Sequence, residues 1–386
     1  MNDKSKLKKI IIIISINVFC LIAFIVCMSL ATSLVTPLRS QQAARAWAGQ
    51  SGDRFAQVSV FFPESAMFEV ENMRSIHTDI DQALLNASIE STAQQSVYIE
   101  AWSALGEVTL LCNRGTPVTA QVIGVGGDFF HFHPLRLRSG NYLSPNDVMK
   151  DRILLDEELA WRLFGAVDLA GMEVLVRGGS SIGAGGATGT RIFTIAGVIS
   201  RESDFASSRA YTGGAGLFMP FEMLSEVSDG ELLITCYEIV MPDPITNFAF
   251  NTMTDAFTGY SAHIVENSAR FSLSKSFSAI RAFGQRSILT DTIAFPYWEN
   301  AARYAEDWLA LLLVLAMLFA VYPVVCGVYY GVLAIRFGFR QIKKAIIRLI
   351  DKRDKRQYEK YLIKHSTEHH IYDVDDIIQE VKNDLL

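Results

Sequence analysis

The sequence predicts an α+β domain carried outside the cytoplasm on two transmembrane helices. Residues 10–35 and 308–335 form two apolar runs that contain no Asp, Glu, Lys or Arg. Each exceeds the roughly 20 residues that a spanning helix needs, and neither has the polar face of a core helix. Between these runs, strand and helix patterns alternate without a regular βαβ repeat, which favours an α+β arrangement over a doubly wound sheet.

The sequence therefore predicts five segments: a cytoplasmic N-terminus (1–9), a first transmembrane helix (10–35), an extracytoplasmic domain with helical stalks (36–305), a second transmembrane helix (306–335) and a cytoplasmic amphipathic tail (336–386). The first apolar run ends near Ser29-Leu30-Ala31, which has the form of a signal-peptide cleavage site. A signal peptide, however, has an apolar core of only about 7–15 residues. We therefore expect an uncleaved anchor.

Charge sets the expected orientation. Lys4, Lys6, Lys8 and Lys9 precede the first run, and residues 336–360 carry ten Lys/Arg against three acids. Basic flanks stay in the cytoplasm, so both termini are predicted to lie on the cytoplasmic side of the plasma or inner membrane. Residues 36–308 carry 19 Lys/Arg and 31 Asp/Glu, a net charge of −12. An outer domain this acidic argues against nucleic acid as a partner.

Local patterns predict the elements of the outer segment in order. Alternating apolar and polar residues predict strands, at 55–62, 96–105, 107–113, 118–125, 172–179, 191–200, 216–224 and 237–242. Helical spacing predicts a surface-exposed stalk at 40–55 and helices at 73–85, 243–257 and 271–283, while 151–165 is predicted as a strand that runs into a helix.

Two of these helices have a clear apolar stripe, consisting of Ile76, Ile80, Leu84 and Leu85 in one and of Leu159, Leu163 and Phe164 in the other. Gly165 is the expected C-terminal stop of the second helix.

A glycine-rich stretch, Gly124, Gly126 and Gly127, follows a predicted strand. A dinucleotide-binding loop would need a further glycine and a helix that begins on it. Pro134 lies so close that we expect a tight turn instead of a helix. His131 and His133 would share one face of an extended segment, but a tetrahedral metal site needs three or four ligands. We expect no metal here.

The sequence contains no convincing catalytic constellation. Residues 179–183 match G-x-S-x-G, but a serine hydrolase requires a rigid strand–turn–helix around the nucleophile, and this serine lies in a Gly/Ser-rich connection. A serine hydrolase is the enzyme alternative. No P-loop and no H-E-x-x-H motif occurs, so we expect neither enzymatic activity nor a cofactor. Cys112 and Cys236 are predicted outside the membrane as two separate thiols or as a pair.

The second apolar run contains Gly327 and Gly331, a G-x-x-x-G spacing that allows two membrane helices to approach closely. Pro323, four residues earlier, is expected to kink the helix or to act as a pivot. These three residues are candidate helix-packing positions. The alternative is that glycine is simply common in membrane helices.

A basic amphipathic helix is predicted directly after the second run. Apolar residues recur every three or four positions with basic residues on the other side, a pattern typical of a helix at the inner leaflet. The candidate contact residues, for membrane lipid or for a cytoplasmic partner, are Phe339, Arg340, Ile342, Lys343, Lys344, Ile346 and Leu349. The acidic end, residues 371–386, is predicted as a second, smaller contact helix.

An ordered series of signals runs through residues 120–225: Gly124-Val125, Phe129-Phe130, Leu137 with Gly140, Asp147, Leu163-Phe164-Gly165, Asp168 with Gly171, Ala196-Gly197-Val198 and the strand 217–221. With this series the outer segment resembles the periplasmic core domain of MacB-like ABC transporter permeases. The resemblance implies that the glycines and aromatic residues are turn and packing residues of an outer domain, namely Gly124, Gly126, Gly127, Phe129, Phe130, Phe164, Gly165, Gly171 and Gly197.

The resemblance also implies a function. Such permeases are non-catalytic membrane subunits that couple a separate ATP-binding subunit to an outer domain by mechanotransmission. This chain departs from the family by having two spans where the family has four. A second permease polypeptide or a second copy of the chain would then supply the others. The alternative is a membrane-anchored sensor or scaffold that binds a peptide, lipid or envelope protein without transport.

Overall fold

The computed structural model describes residues 3–50, 52–89, 97–111, 116–178, 190–211, 216–228, 232–272, 275–276 and 293–383. The predicted helix 271–283, the G-x-S-x-G motif and Cys112 lie wholly or mostly outside these residues. The chain divides into two units, one formed by residues 1–24 and 317–386 and the other by residues 25–316.

The first unit is helical. It contains the beginning of α1 (Asp3–Val35) and most of a long helix that we call α9 (Tyr297–Asn383). Both helices contain a stretch that is long and apolar enough to cross a membrane, with a mean hydropathy of 3.1 in α1 and 2.7 in α9. Within this unit the rings of Phe19 and Phe319 meet edge to face at 6.3 Å. The helix continues through Pro323 and through both predicted boundaries, at 306 and 336, without a break.

The described residues of the second unit form ten strands: β1 (Phe55–Phe61), β2 (Ile99–Leu111), β3 (Val118–Gly127), β4 (Arg136–Gly140), β5 (Arg152–Asp156), β6 (Glu173–Gly178), β7 (Thr190–Ser200), β8 (Gly216–Pro220), β9 (Cys236–Pro242) and β10 (His263–Glu266). Its short helices are α2 (Ala43–Ala48), α3 (Met73–Asn86), α4 (Phe129–Phe132), α5 (Glu157–Phe164), α6 (Ser207–Ala210), α7 (Phe221–Val227) and α8 (Phe248–Ala256). The predicted α+β class is confirmed.

The strands form one sheet in the order β10-β1-β9-β2-β3-β8-β5-β7-β4. β6 pairs with both β2 and β7, so β2, β3, β8, β5, β7 and β6 close on themselves as a barrel. β1, β9 and β10 continue the sheet from the other half of β2. The domain is therefore an open antiparallel sheet joined to a small barrel through one shared strand.

That shared strand corrects the sequence prediction, which placed two strands at 96–105 and 107–113. Gly106 does not interrupt the ladder but pairs with Val122 of β3. Ile99 to Ser103 pair with β9, whereas Val108 to Leu111 pair with β6. A glycine in a strand often marks a place where another part of the chain lies close to the strand backbone. Here that part is α7, since a Cβ on Gly106 would lie 3.5 Å from the Leu224 side chain.

Helices cover the sheet and the barrel. α3 and α8 pack on the open sheet through a core that includes Ile76, Ile80 and Met253, and α5 and α7 contribute Leu159 and Leu224 to the barrel core.

Three further predictions about these elements need correction. Leu85 is 54% exposed, because it lies one residue, or about 100°, beyond the stripe of α3. Residues 216–224 form a strand and then a helix. The predicted exposed stalk at 40–55 is a short helix whose Ala43 and Ala44 are buried, since small side chains allow close packing.

Candidate functional site

The glycine-rich stretch leads into a packed aromatic corner. All three glycines belong to β3, and Gly127, the last residue of the strand before the turn, has a φ of 63°. A Cβ on Gly126 would lie 2.2 Å from the ring of Trp102, and one on Gly127 would lie 2.4 Å from the carbonyl oxygen of Glu100. These glycines therefore allow β2 and its tryptophan to lie directly against β3.

The prediction that no helix begins after this turn is wrong. Residues 129–132 form α4, and His133 ends it, because one helical turn fits before Pro134 and only the residue preceding a proline is kept from helical geometry. Phe129 is buried against Trp298, with ring centroids 5.7 Å apart, and Phe130 stacks on Tyr142 at 5.0 Å.

The remaining predicted turn and packing residues lie around the barrel. Gly165 ends α5 with a φ of 67°, and Gly171 has a φ of 85°. Phe164 packs against the barrel core. A Cβ on Gly197 would lie 2.5 Å from the carbonyl oxygen of Ser139, so this glycine allows the close pairing of β4 with β7.

The predicted contact residues of the first unit lie apart from this corner in sequence. Apart from the adjacent backbone of α9 itself, no atom of the described residues comes within 4 Å of a Cβ built on Gly327 or Gly331. The apolar side chains of the predicted basic amphipathic helix are exposed along α9: Phe339 is 70% exposed, Ile342 57% and Leu349 67%. Large exposed apolar side chains in a row indicate a surface that something else covers.

A buried ionic network, which the sequence analysis missed, lies where α9 begins. Arg270 donates two hydrogen bonds to Glu299, at 2.6 and 2.9 Å, and its Nε donates to Glu306 at 2.7 Å. Arg303 donates to Glu299 at 2.7 Å. The Arg270 and Glu299 side chains are only 4% and 1% exposed. Bidentate arginine–carboxylate pairs of this kind are geometrically specific as well as strong.

The same network reaches the segment that follows α1. Arg270 Nη1 donates to the side-chain oxygen of Gln41 at 3.2 Å. Gln57 of β1 donates to the Ser40 carbonyl at 2.8 Å and accepts a hydrogen bond from the Ala43 backbone at 3.0 Å. The entry of α1 into the domain, the sheet and the start of α9 are thus tied together through buried polar contacts.

Electrostatics keep this network ionised. Burial by itself would lower the pKa of Arg270, but the adjacent carboxylates of Glu299 and Glu306 raise it instead. Burial would likewise raise the pKa of Glu299, but Arg270 and Arg303 hold it below its usual value. Burying charges is costly unless they are paired and hydrogen-bonded. Arg270 and Glu299 are therefore each held in the charged form.

A second group of buried polar residues, linked by hydrogen bonds, lies next to the aromatic corner. His133 Nε2 lies 2.5 Å from a carboxylate oxygen of Glu238, whose other oxygen accepts a hydrogen bond from Ser59 at 2.7 Å. Asn267 donates in turn to Ser59 at 2.6 Å. The His133 ring packs on Trp298, with centroids 4.2 Å apart. Trp298 belongs to α9, so these buried polar contacts also fix the start of that helix.

The two histidines do not share one exposed face, as the sequence had suggested. His133 is fully buried, whereas the side chain of His131 is 68% exposed, because they belong to a helical turn and not to an extended segment. Nowhere in the part of the chain that the structure describes do three His, Cys, Asp or Glu side chains gather as metal ligands would. Cys236 is a buried free thiol, and burial raises its pKa well above the usual value.

One signal for the network was present in the sequence. Glu299, Arg303 and Glu306 recur at steps of four and three residues ahead of the apolar run, a spacing that places them on one helix face. Arg270 had no such signal, because its pairing depends on the return of the chain from β10.

Comparison with known proteins identifies the family. The model described as MacB-like periplasmic core domain matches residues 10–246, more than half of the chain. The comparison with curated proteins finds no match.

Three solved structures are similar. The extracellular domain of the noncanonic ABC-type transporter YknZ from Gram-positive bacteria shares 14% identity over 54% of this chain and 98% of that chain, with a TM-score of 0.35. The periplasmic region of MacB from Actinobacillus actinomycetemcomitans shares 17% over 55% and 89%, with a TM-score of 0.37. A domain of a putative permease from Porphyromonas gingivalis shares 13% over 55% and 89%, with a TM-score of 0.31.

A periplasmic core domain and two apolar helices are compatible with an inner-membrane protein. On the extended match of the family model, the chain belongs to the MacB-like ABC transporter permease family.

Proposed function

We propose that this chain is a non-catalytic membrane subunit of an ABC-type complex. A separate ATP-binding subunit would drive it, and its two spans would pass the motion to the outer domain. The family supports the transporter context, and the absence of a P-loop from the sequence supports a separate source of ATP hydrolysis.

The observation that carries this proposal is the buried ionic network at the start of α9. Coupling by mechanotransmission needs a helix that is firmly attached to the domain it moves. Glu299, Arg303 and Glu306 all belong to the first three turns of α9, and Arg270 ties them to the segment after β10. The helix that becomes the second span is thus bonded to the domain through buried charges, which cannot be separated without a large cost.

The exposed stripe on α9 is the proposed contact with the ATP-binding subunit. Ile342, Ile346 and Leu349 lie four and three residues apart and are each more than half exposed, so they form one apolar face. Arg340, Lys343 and Lys344 flank this face and would favour an acidic partner surface or anionic lipid.

Replacing Ile342, Ile346 and Leu349 by aspartate is expected to abolish co-purification of an ATP-binding protein with the full chain, because the charges destroy the apolar face. The measurement is affinity purification after mild cross-linking, with P-loop peptides identified by mass spectrometry. The control is Tyr358→Asp with Leu362→Asp, which adds charge to exposed side chains further along the same helix. Failure of the unmodified chain to retain any ATP-binding protein would contradict the proposal.

Gly327, Gly331 and Pro323 are the proposed contact with further membrane helices. The space beside both glycines is open in this chain, and small residues four apart allow the backbone of another helix to approach. A second permease polypeptide or a second copy of this chain would fill that space and add its spans to the two candidate spans of the described residues.

The proposed topology makes a separate prediction. A cysteine introduced at Asn146 is expected to react with a membrane-impermeant maleimide on intact cells, and one introduced at Lys355 is expected to react only after lysis. Both positions are exposed, so burial does not limit the reaction. The unmodified chain, labelled in parallel, gives the background from its own thiols. Labelling of position 355 on intact cells would overturn the proposed orientation.

A further inference from the structure

A cavity of about 690 Å³ lies beside the first turns of α9. Small-molecule sites are commonly about 300–1,000 Å³, so this cavity is large enough for a ligand. Its apolar wall comes from four parts of the outer domain, through Leu135, Ile199, Phe218 and Phe295. None of the predicted contact residues lines it.

Three arginines line the cavity, and they differ in their partners. Arg201 donates to Asp156 at 2.8 Å, and Arg303 donates to Glu299 at 2.7 Å. Arg209 instead lies 4.0 Å from the ring centroid of Phe205 and donates to the Phe205 carbonyl at 2.9 Å. No carboxylate among the described residues pairs with Arg209, which leaves its positive charge available to an anionic ligand.

The cavity lies next to the start of the apolar run of α9. Tyr304 and Asp307 line it, and the apolar run begins at the following residue, Trp308. Phe205 contacts both Tyr304 and Trp308, each with ring centroids 5.6 Å apart, and Phe205 and Trp308 are 40% and 38% exposed. Exposed aromatic residues beside a span are typical of the membrane–water interface. Arg209 lies over this aromatic group, 4.0 Å from the ring centroid of Phe205 and 5.9 Å from that of Tyr304.

We propose that this cavity binds a single-chain anionic lipid taken from the outer leaflet. The acyl chain would occupy the apolar wall, and the phosphate would bind Arg209. Charge complementarity, apolar lining and proximity to the interface support the same class of ligand, and a soluble anion would leave the apolar wall exposed to water. The site does not depend on the proposed ATP-binding subunit, so the two proposals can fail separately.

The test uses the full chain in a non-ionic detergent. Palmitoyl lysophosphatidylglycerol is titrated and counted by native mass spectrometry, and a diazirine at the end of its chain maps the contact by cross-linking. Palmitoyl lysophosphatidylcholine tests the charge requirement, and glycerol phosphate tests the head group alone. Arg209→Gln removes the charge, Ala294→Trp fills the cavity from an exposed lining position, and Arg191→Gln is a matched arginine control outside the lining.

We expect saturable binding of the lysophosphatidylglycerol, with cross-links in peptides that contain Phe218 or Phe295. Arg209→Gln should weaken this binding about three- to tenfold and leave lysophosphatidylcholine unchanged, since a charge-assisted hydrogen bond is lost. Ala294→Trp should weaken both lipids, and Arg191→Gln neither. Equal affinity of the parent chain and Arg209→Gln for the anionic lipid, competition by glycerol phosphate alone, or cross-links confined to other peptides would each overturn the proposal.

Discussion

Replacing Arg270 by methionine is expected to lower the free energy of unfolding of the outer domain by about 3–5 kcal/mol. Methionine keeps much of the side-chain length and removes the charge. The loss of stability arises mainly from the two carboxylates that remain. Glu299 would stay buried as an ion that has lost a bidentate partner, and Glu306 would lose its bond to the Arg270 Nε. Arg303 would remain as a partner of Glu299 only through its single hydrogen bond.

The midpoint of thermal unfolding of the full chain in detergent measures this effect, and a loss of this size corresponds to a decrease of roughly 10 °C. Arg138→Met is the matched control. Arg138 pairs with Glu157, but the two side chains are 43% and 33% exposed, and exposed pairs contribute at most about 1 kcal/mol. A similar decrease for both variants would show that the network has no special role.

A further variant separates the charge from the cavity that methionine leaves. Adding Glu299→Leu, Glu306→Leu and Arg303→Met to Arg270→Met replaces all four charged members of the network by apolar residues, and such a replacement is often nearly neutral. We expect the quadruple variant to recover most of the lost stability. If it unfolds as easily as the single variant, packing around the guanidinium and not its charge determines the stability here.

Gly127→Ala is expected to destabilise the domain by about 2–4 kcal/mol, the second-largest effect. Gly127 has a left-handed φ of 63°, and its Cβ would lie 2.4 Å from the Glu100 carbonyl oxygen and 2.9 Å from the Trp102 ring. The first contact is with backbone, which can move only if β2 moves away from β3.

Gly165→Ala is the control for Gly127→Ala. Gly165 has nearly the same φ, 67°, but nothing lies within 4 Å of its Cβ. The left-handed conformation alone therefore costs about 1 kcal/mol at that position. The difference between the two variants in thermal midpoint measures the close approach of β2. Equal midpoints would mean that Trp102 and its strand adjust without cost.

Periodicity made most elements of this protein predictable. The apolar runs, the stripe Ile76, Ile80 and Leu84, and the strand–helix pair around Asp156 appear in the structure where the residues indicate them. Asp156 caps α5 by accepting a hydrogen bond from the Leu159 backbone, a local signal that sequence reasoning can recognise.

The candidate site was not predictable in the same way, because its residues come from distant parts of the chain. Arg270 and Gln41 are separated by 229 positions and meet only in the folded domain. The buried pair His133 and Glu238 is separated by 105 positions. Closure of the barrel by β6 is likewise non-local. Local patterns specify which face of an element is buried, but they do not specify which distant charge will lie against it.

The single long strand β2 has a mechanical consequence. Its residues bond to β3 along most of its length, to β9 at one end and to β6 at the other. Backbone hydrogen bonds run perpendicular to an antiparallel strand, so a pull along β2 loads many of them in shear at the same moment and does not peel them apart one by one. No flexible linker separates the open sheet from the barrel, because both contain β2. A force applied to one of them is therefore transmitted directly to the other.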